Sequence, residues 1–252
     1  MARTKRFLLS ECLKTLRLER LKKILKKKMP IILFSDEKYF TVDPVCNSRN
    51  NRYIMKKRSK DDPHFIRSVQ KSKHPAQIMM FGLVVSNGKK MPPIFLECGF
   101  RMGAREHLDR ILIPHVKLWI QSNFSDNDYI VFMQDGAPCH SAKTVQKWLL
   151  ENVPYWPKEV WPPSSPDLNQ LDFSIRAYVQ ARACAQQHPN IDYLKVSVTK
   201  EWTKMSEDYI QTVCTQFRPR IKAVIEAVGG SITCPTSSFI IISFHQKALF
   251  RK

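Results

Sequence analysis

The chain has 252 residues and sets 41 Lys and Arg against 22 Asp and Glu, a formal charge of +19, while 43% of it is hydrophobic and 10% aromatic. At that length roughly 73% of the unfolded surface can be buried, which suits one ordinary domain and excludes a small stapled scaffold, a disordered chain or a collagen-like one. Seven Cys with no two closer than 20 residues exclude a CxxC metal or redox motif, and their odd number argues against a disulfide framework.

The segment Phe7-Leu8-Leu9 is too short for a signal-peptide core, and the run Phe239 to Phe244 is far below a membrane span. The expectation is a soluble intracellular protein with reduced thiols, no membrane association and no small-molecule cofactor.

In chain order, residues 1–28 carry eleven Lys and Arg against two acids, and residues 10–28 read as a basic helix ended by Pro30. Ile31-Ile32-Leu33-Phe34 has the pattern of a strand buried on both faces. Residues 44–75 follow as a long polar insertion, whose part 49–73 holds nine Lys and Arg against two Asp. The two basic blocks account for +16 of the +19 and form an electrostatic footprint for a polyanion, nucleic acid before an anionic membrane. Lys22, Lys23, Lys26, Lys27 and Lys28 in the first block, and Arg49, Arg52, Lys56, Lys57, Arg58 and Lys60 in the second, are the candidate DNA contacts. A solvated helix face is the plainer reading of either block alone.

A second strand is predicted over Ile78 to Ser86, turning at Asn87-Gly88 into Pro93 to Glu97. Leu108, Ile111, Leu112, His115, Val116, Trp119 and Ile120 repeat at helical spacing. Tyr129 to Met133 is a further buried strand and 141–152 a helix. Trp161-Pro162-Pro163-Ser164-Ser165-Pro166 cannot be helical. Helices are expected over about 170–186, 191–204 and 206–228, the last interrupted by Pro219 and stopped by Gly229-Gly230. This is a mixed α/β order.

Two apolar runs end alike, in Leu33-Phe34-Ser35-Asp36 and Phe132-Met133-Gln134-Asp135. Alternation along a strand puts Asp36 on the face of Phe34 and Asp135 on that of Met133, so parallel neighbouring strands would present both carboxylates at one sheet edge. Asp172 shares a helix face with Ile175, Val179 and Ala183. Each has a structural alternative: Asp135-Gly136 is a good turn dipeptide, and Asp172 lies three residues after the potential cap Asn169. Three converging carboxylates repel unless a cation neutralises them, and hard oxygen donors suit Mg²⁺ or Mn²⁺. Two such ions would serve phosphodiester cleavage.

Three stretches resemble the mariner-type DNA transposases: Phe34-Ser35-Asp36-Glu37-Lys38-Tyr39-Phe40, Gln134-Asp135-Gly136-Ala137-Pro138 with His140, and Trp161-Pro162-Pro163-Ser164-Ser165-Pro166-Asp167-Leu168-Asn169 continuing to Leu171-Asp172. The spacing of 37 from Asp135 to Asp172 is like that of the subgroup whose third acid is Asp. The resemblance implies a ribonuclease-H-like core over 31–230 with Asp36, Asp135 and Asp172 as catalytic metal ligands for two ions, and Asp167 as a motif residue. It also implies a clamp-like loop at 44–75, action on double-stranded DNA in the nucleus as a homodimer, and DNA nicking followed by strand transfer. Residues 1–30 then read as a basic helical linker without the helix-turn-helix modules that usually precede it, and 231–252 as a tail of unassigned role. A truncated relic that only binds DNA is the alternative. Gln170 stands where the family usually has Pro at the first helical position, a change expected to cost less than ~1 kcal/mol.

Overall fold

The computed structural model describes residues 9–44, 72–97, 99 and 102–232. Most of the expected 44–75 insertion, with Arg49, Arg52, Lys56, Lys57, Arg58 and Lys60, lies outside them, as does the tail beyond residue 232.

Helix α1 (Glu11–Lys26) is capped by Ser10, whose side chain accepts from the Leu13 N–H. Strands β1 (Ile31–Thr41), β2 (Gln77–Val85) and β3 (Ile94–Leu96) follow. Helix α2 (Ala104–His107) runs through a π-helical stretch, Leu108–Lys117, into α3 (Leu118–Asn123). Strand β4 (Ile130–Met133) and helices α4 (Pro138–Ser141) and α5 (Lys143–Asn152) come next. A π-helical turn, Leu171–Ile175, opens α6 (Arg176–Ala183), followed by α7 (Ile191–Lys204), α8 (Glu207–Thr215) and α9 (Phe217–Glu226).

The sheet has the order β3-β2-β1-β4, with β1 antiparallel to β2 and parallel to β4. Alternation along its strands divides the apolar residues between two cores. Ile32, Phe34, Phe40, Ile78, Met80 and Met133 pack with α1 and α6 to α9. Leu33, Met79, Phe81, Leu83 and Phe132 pack with the α2–α3 run and α5. Helix α7 closes on the sheet where Gly82 leaves room: a Cβ there would stand 2.8 Å from the Trp202 ring, whose indole N–H donates to the Met91 carbonyl at 2.9 Å.

Three expectations change. Strand β1 does not stop at Asp36 but runs to Thr41, because β2 keeps pairing with it as far as Thr41 opposite Gln77 after β4 has ended. The expected helix over 206–228 is two helices broken at Gln216. Pro219 does not interrupt either; it lies in the first turn of α9, where its missing N–H has no intrahelical partner to lose. The chain then leaves α9 through Val228 (φ 51°) and Gly229 (φ 78°). A Cβ on Gly229 would fall 2.1 Å from the Lys14 carbonyl oxygen, so glycine lets the end of α9 close on α1.

The basic segment at the N-terminus is built into the domain. Leu21 and Ile24 join the core. Arg17, fully buried, donates to both oxygens of Asp167 at 3.1 and 2.9 Å and to the Ser164 carbonyl at 2.6 Å. Arg20 caps the carbonyls of Lys158 and Trp161. Asp167 thus binds the proline-rich connection to α1, and Trp161 stacks on Phe217 of α9 at 6.3 Å. Among the described residues no helix is long and apolar enough to cross a membrane.

Removing one member of a buried ion pair strands the other charge and typically costs about 3–5 kcal/mol. Arg17→Ala should therefore lower unfolding stability by that amount in urea titration; a loss below ~1 kcal/mol would show that the connection is held by its aromatic stack instead.

Candidate active site

Strands β1 and β4 pair from Ile31 opposite Ile130 to Phe34 opposite Met133, so Asp36 and Asp135 each stand two residues beyond the last matched pair. Ser35 extends the clasp by donating from Oγ to the Met133 carbonyl at 2.9 Å. The expected parallel neighbours and shared edge are therefore present, with Asp36 inside a strand rather than at its end. Asp172 arrives from the opposite layer on the turn that opens α6, while Ile175, Val179 and Ala183 of its expected face are buried in the core.

The Arg176 guanidinium joins two of the acids. It contacts Asp36 Oδ1 and the Glu37 carbonyl oxygen, and it donates to Asp172 Oδ1 at 2.5 Å. Asn169 donates from Nδ2 to Asp36 Oδ2 at 3.2 Å while its own Oδ1 accepts the Leu171 N–H, so the cap expected at Asn169 also fixes a carboxylate. Asp135 Oδ1 accepts the Ala137 N–H at 3.0 Å and meets His140 Nδ1 at 2.6 Å. A cleft of about 370 Å³ opens beside Asp135, Asp172 and Asn169, walled by the connection Trp161 to Pro166.

Burial and charge set the protonation of these groups. Burial raises the Asp36 carboxyl to about 8, against the pull of Arg176 and with repulsion from Asp172 and Asp135 adding to it. One guanidinium cannot neutralise two carboxylates, and Asp36 is the more enclosed, with 9% of its side chain exposed against 25% for Asp172. Burial raises Asp172 as well. For Asp135 burial acts in the same sense but is outweighed by the His140 hydrogen bond and charge, so its carboxyl is held below the usual value. Burial disfavours a charged His140, yet its contacts with Asp135 and Glu37 raise it well above the ordinary imidazole value. The three acids are hard oxygen donors that interact electrostatically with one another, and a cationic side chain already lies between two of them. A divalent cation fits that donor set.

Sequence reasoning missed Arg176, Asn169 as a carboxylate anchor, and His107. Arg176 stands four residues after Asp172 on one helix face, a spacing that carries a signal; His107 carried none. Gln170 is fully buried, and neither its amide oxygen nor its amide nitrogen has a hydrogen-bond partner. At this helix start the buried amide therefore carries a desolvation cost. Of the candidate DNA contacts, Lys22, Lys23, Lys26, Lys27 and Lys28 all project exposed from the end of α1 and the residues after it.

A family model described as DDE superfamily endonuclease matches residues 31–195. No curated protein matches the chain. Among solved structures, the Mos1 transposase paired-end complex with left transposon end aligns with a TM-score of 0.74 at 17% identity, covering 92% of this chain and 68% of that one. The Mos1 mariner paired end complex with Mn gives 0.75 at 17%, with the same coverage. The catalytic domain of Mos1 mariner transposase gives 0.68 at 16%, covering 91% of this chain and all of that one. The fold is accordingly a ribonuclease-H-like mixed sheet flanked by helices.

Two outcomes follow for stability. Gln170→Met keeps the side-chain length and removes two buried polar atoms without partners, so it should stabilise the protein by about 1–3 kcal/mol in urea unfolding. A neutral or destabilising result would mean that water reaches the amide. Asp36 holds a proton in the folded state up to about 8 that the unfolded chain releases near 3.8, so its contribution to stability falls as pH rises across that window. Melting temperatures in EDTA between about pH 5 and 9 should decline less steeply for Asp36→Asn than for the wild type; parallel curves would place the proton elsewhere.

Proposed function

The chain belongs to the DDE superfamily of endonucleases, and from that membership we propose that it is the catalytic domain of a mariner-like transposase, a Mg²⁺- or Mn²⁺-dependent DNA endonuclease and strand transferase acting as a homodimer in the nucleus. The observation that carries the reading is the β1/β4 register, which brings Asp36 and Asp135 together, with Asp172 tied to Asp36 through one guanidinium.

In this reading Asp36, Asp135 and Asp172 hold two divalent ions. Such ions activate an attacking oxygen and stabilise the leaving oxygen of a phosphodiester. The protein's own groups do the positioning: His140 and the Ala137 N–H orient Asp135, and Asn169 orients Asp36. Arg176 must release at least one carboxylate when the site is filled, and Asp36 must give up its proton. The cleft under the Trp161 to Pro166 connection has room for a phosphodiester and its flanking sugars, and Lys22 to Lys28 offer sequence-independent charge to the duplex backbone. Arg176 also favours a second reading, a relic that binds DNA without cutting it, because its side chain already neutralises part of the site.

Nicking of supercoiled plasmid separates the two. With Mg²⁺ or Mn²⁺ the wild type should nick, and Asp135→Asn should lose ~10³-fold or more while still binding DNA; a wild type that binds DNA but stays inert would favour the relic reading, and nicking regained in Arg176→Ala would identify that side chain as the block. Cation binding should release about one proton near neutral pH, read by calorimetry in buffers of different ionisation enthalpy, since Asp36 titrates at about 8. DNA affinity should weaken with salt, and each of the five lysines that meets a phosphate should contribute about 0.9 to the slope of log K against log salt. A slope unchanged after replacing all five by Ala would remove α1 from the DNA interface.

A further inference from the structure

Asp36 and Glu37 are neighbours on β1 and therefore point to opposite faces of the sheet. Asp36 faces Asp172 and α6. Glu37 faces the other layer, where His107 from the end of α2 and His140 from α4 meet it. Glu37 Oε1 lies 3.3 Å from His140 Nε2 and 3.9 Å from His107 Nδ1, and all three atoms lie within 4.8 Å of one another. The side chains of His107 and His140 are 0% and 4% exposed. All three of these atoms are buried and converge on one point; Glu37 Oε1 and His140 Nε2 face each other as an ion pair without a well-aligned hydrogen bond, and His107 Nδ1 has no hydrogen-bond partner.

Unsatisfied buried polar atoms are rare, and three that share one focus without a well-formed hydrogen bond among them call for an occupant. A triangle with sides of 3.3, 3.9 and at most 4.8 Å has a circumradius of no more than about 2.4 Å. That is within a few tenths of an ångström of the ~2.0–2.2 Å at which imidazole nitrogen and carboxylate oxygen bind zinc. The outward nitrogens complete the pattern: His140 Nδ1 is held by Asp135 at 2.6 Å, and His107 Nε2 meets Gln134 Oε1 at 3.3 Å. A metal-binding histidine ordinarily spends its second nitrogen on just such an acceptor, which fixes the ring and its tautomer. An imidazolium at residue 140 paired with two carboxylates would account for two of the three atoms and leave His107 Nδ1 without a role.

We propose that Glu37, His107 and His140 form a binding site for one Zn²⁺ ion, separate from the three aspartates and on the opposite face of the sheet. Two imidazoles select zinc over Mg²⁺, which prefers oxygen. The ion would pin β1, α2 and α4 together, and through His140 it would fix the orientation of Asp135. The assignment does not depend on the aspartates' role in cleavage.

The test uses the full 252-residue chain, stripped with EDTA and loaded with Zn²⁺ or with Co²⁺ as a spectroscopic substitute. The wild type should retain one Zn²⁺ per chain after gel filtration and show the intense visible bands of tetrahedral Co²⁺. Asp172→Asn, which disables the carboxylate cluster across the sheet, should retain both. His107→Ala, checked for folding by circular dichroism, should lose more affinity than the ~10–100-fold typical of losing a second-shell group. If that variant does not fold, the wild-type Co²⁺ spectrum decides, because an all-carboxylate site gives only weak octahedral bands. Absence of the tetrahedral bands in the wild type, full zinc retention by folded His107→Ala, or loss of zinc in Asp172→Asn would each overturn the site.

Discussion

The parallel pairing of β1 with β4, with Phe34 opposite Met133, is the constraint on which the site depends. Because side chains alternate with a period of two, a slip of one residue would turn Asp36 away from Asp172 and bury Glu37 in its place. The register is secured on both faces at once. Phe34 and Met133 belong to one core, Leu33 and Phe132 to the other, so a one-residue shift would misplace both layers at once. Ser35 fastens the last step by bonding across to the Met133 carbonyl.

That alternation also explains why one short segment serves two differently charged environments. On one side Asp36 meets Arg176, Asn169 and Asp172, and burial with like charge leaves it protonated to about 8. On the other, Glu37 meets His107 and His140; burial opposes its ionisation, but the His140 contact prevails and holds it below its ordinary value. Burial lowers His107 to about 4, with the charge on His140 adding to the effect. Asp135, just past the end of β4, touches the second environment through His140 and lines the cleft of the first. The two faces are thereby coupled through a single carboxylate.

The helix α1 and the proline-rich connection form the outer support. The connection cannot make helical hydrogen bonds, so its carbonyls are satisfied from outside: Arg17 and Arg20 of α1 reach Ser164, Lys158 and Trp161, and Arg220 of α9 reaches the Asp167 carbonyl at 2.6 Å. This anchors the cleft wall to two helices distant in sequence and separates Arg17 and Arg20, which hold the connection, from the exposed lysines toward the end of α1.

The sequence by itself determined the strand cores and the mixed α/β order, because hydrophobic periodicity and proline are local signals that act along the chain, and it marked where Asp36 and Asp135 follow apolar runs. It did not mark how far β1 runs, since that length follows from where β2 keeps pairing and β4 stops. Nor did it reveal that Gln170 is buried without partners or that His107 faces Glu37. Those depend on distances between residues far apart in the chain, 70 positions in the case of Glu37 and His107. Arg17 looked like one more solvated charge in a basic run; only the packing of α1 against the connection decided that it is buried with Asp167. A lone polar residue declares its type in the sequence, but its partner, and therefore its energy, is settled by the tertiary fold.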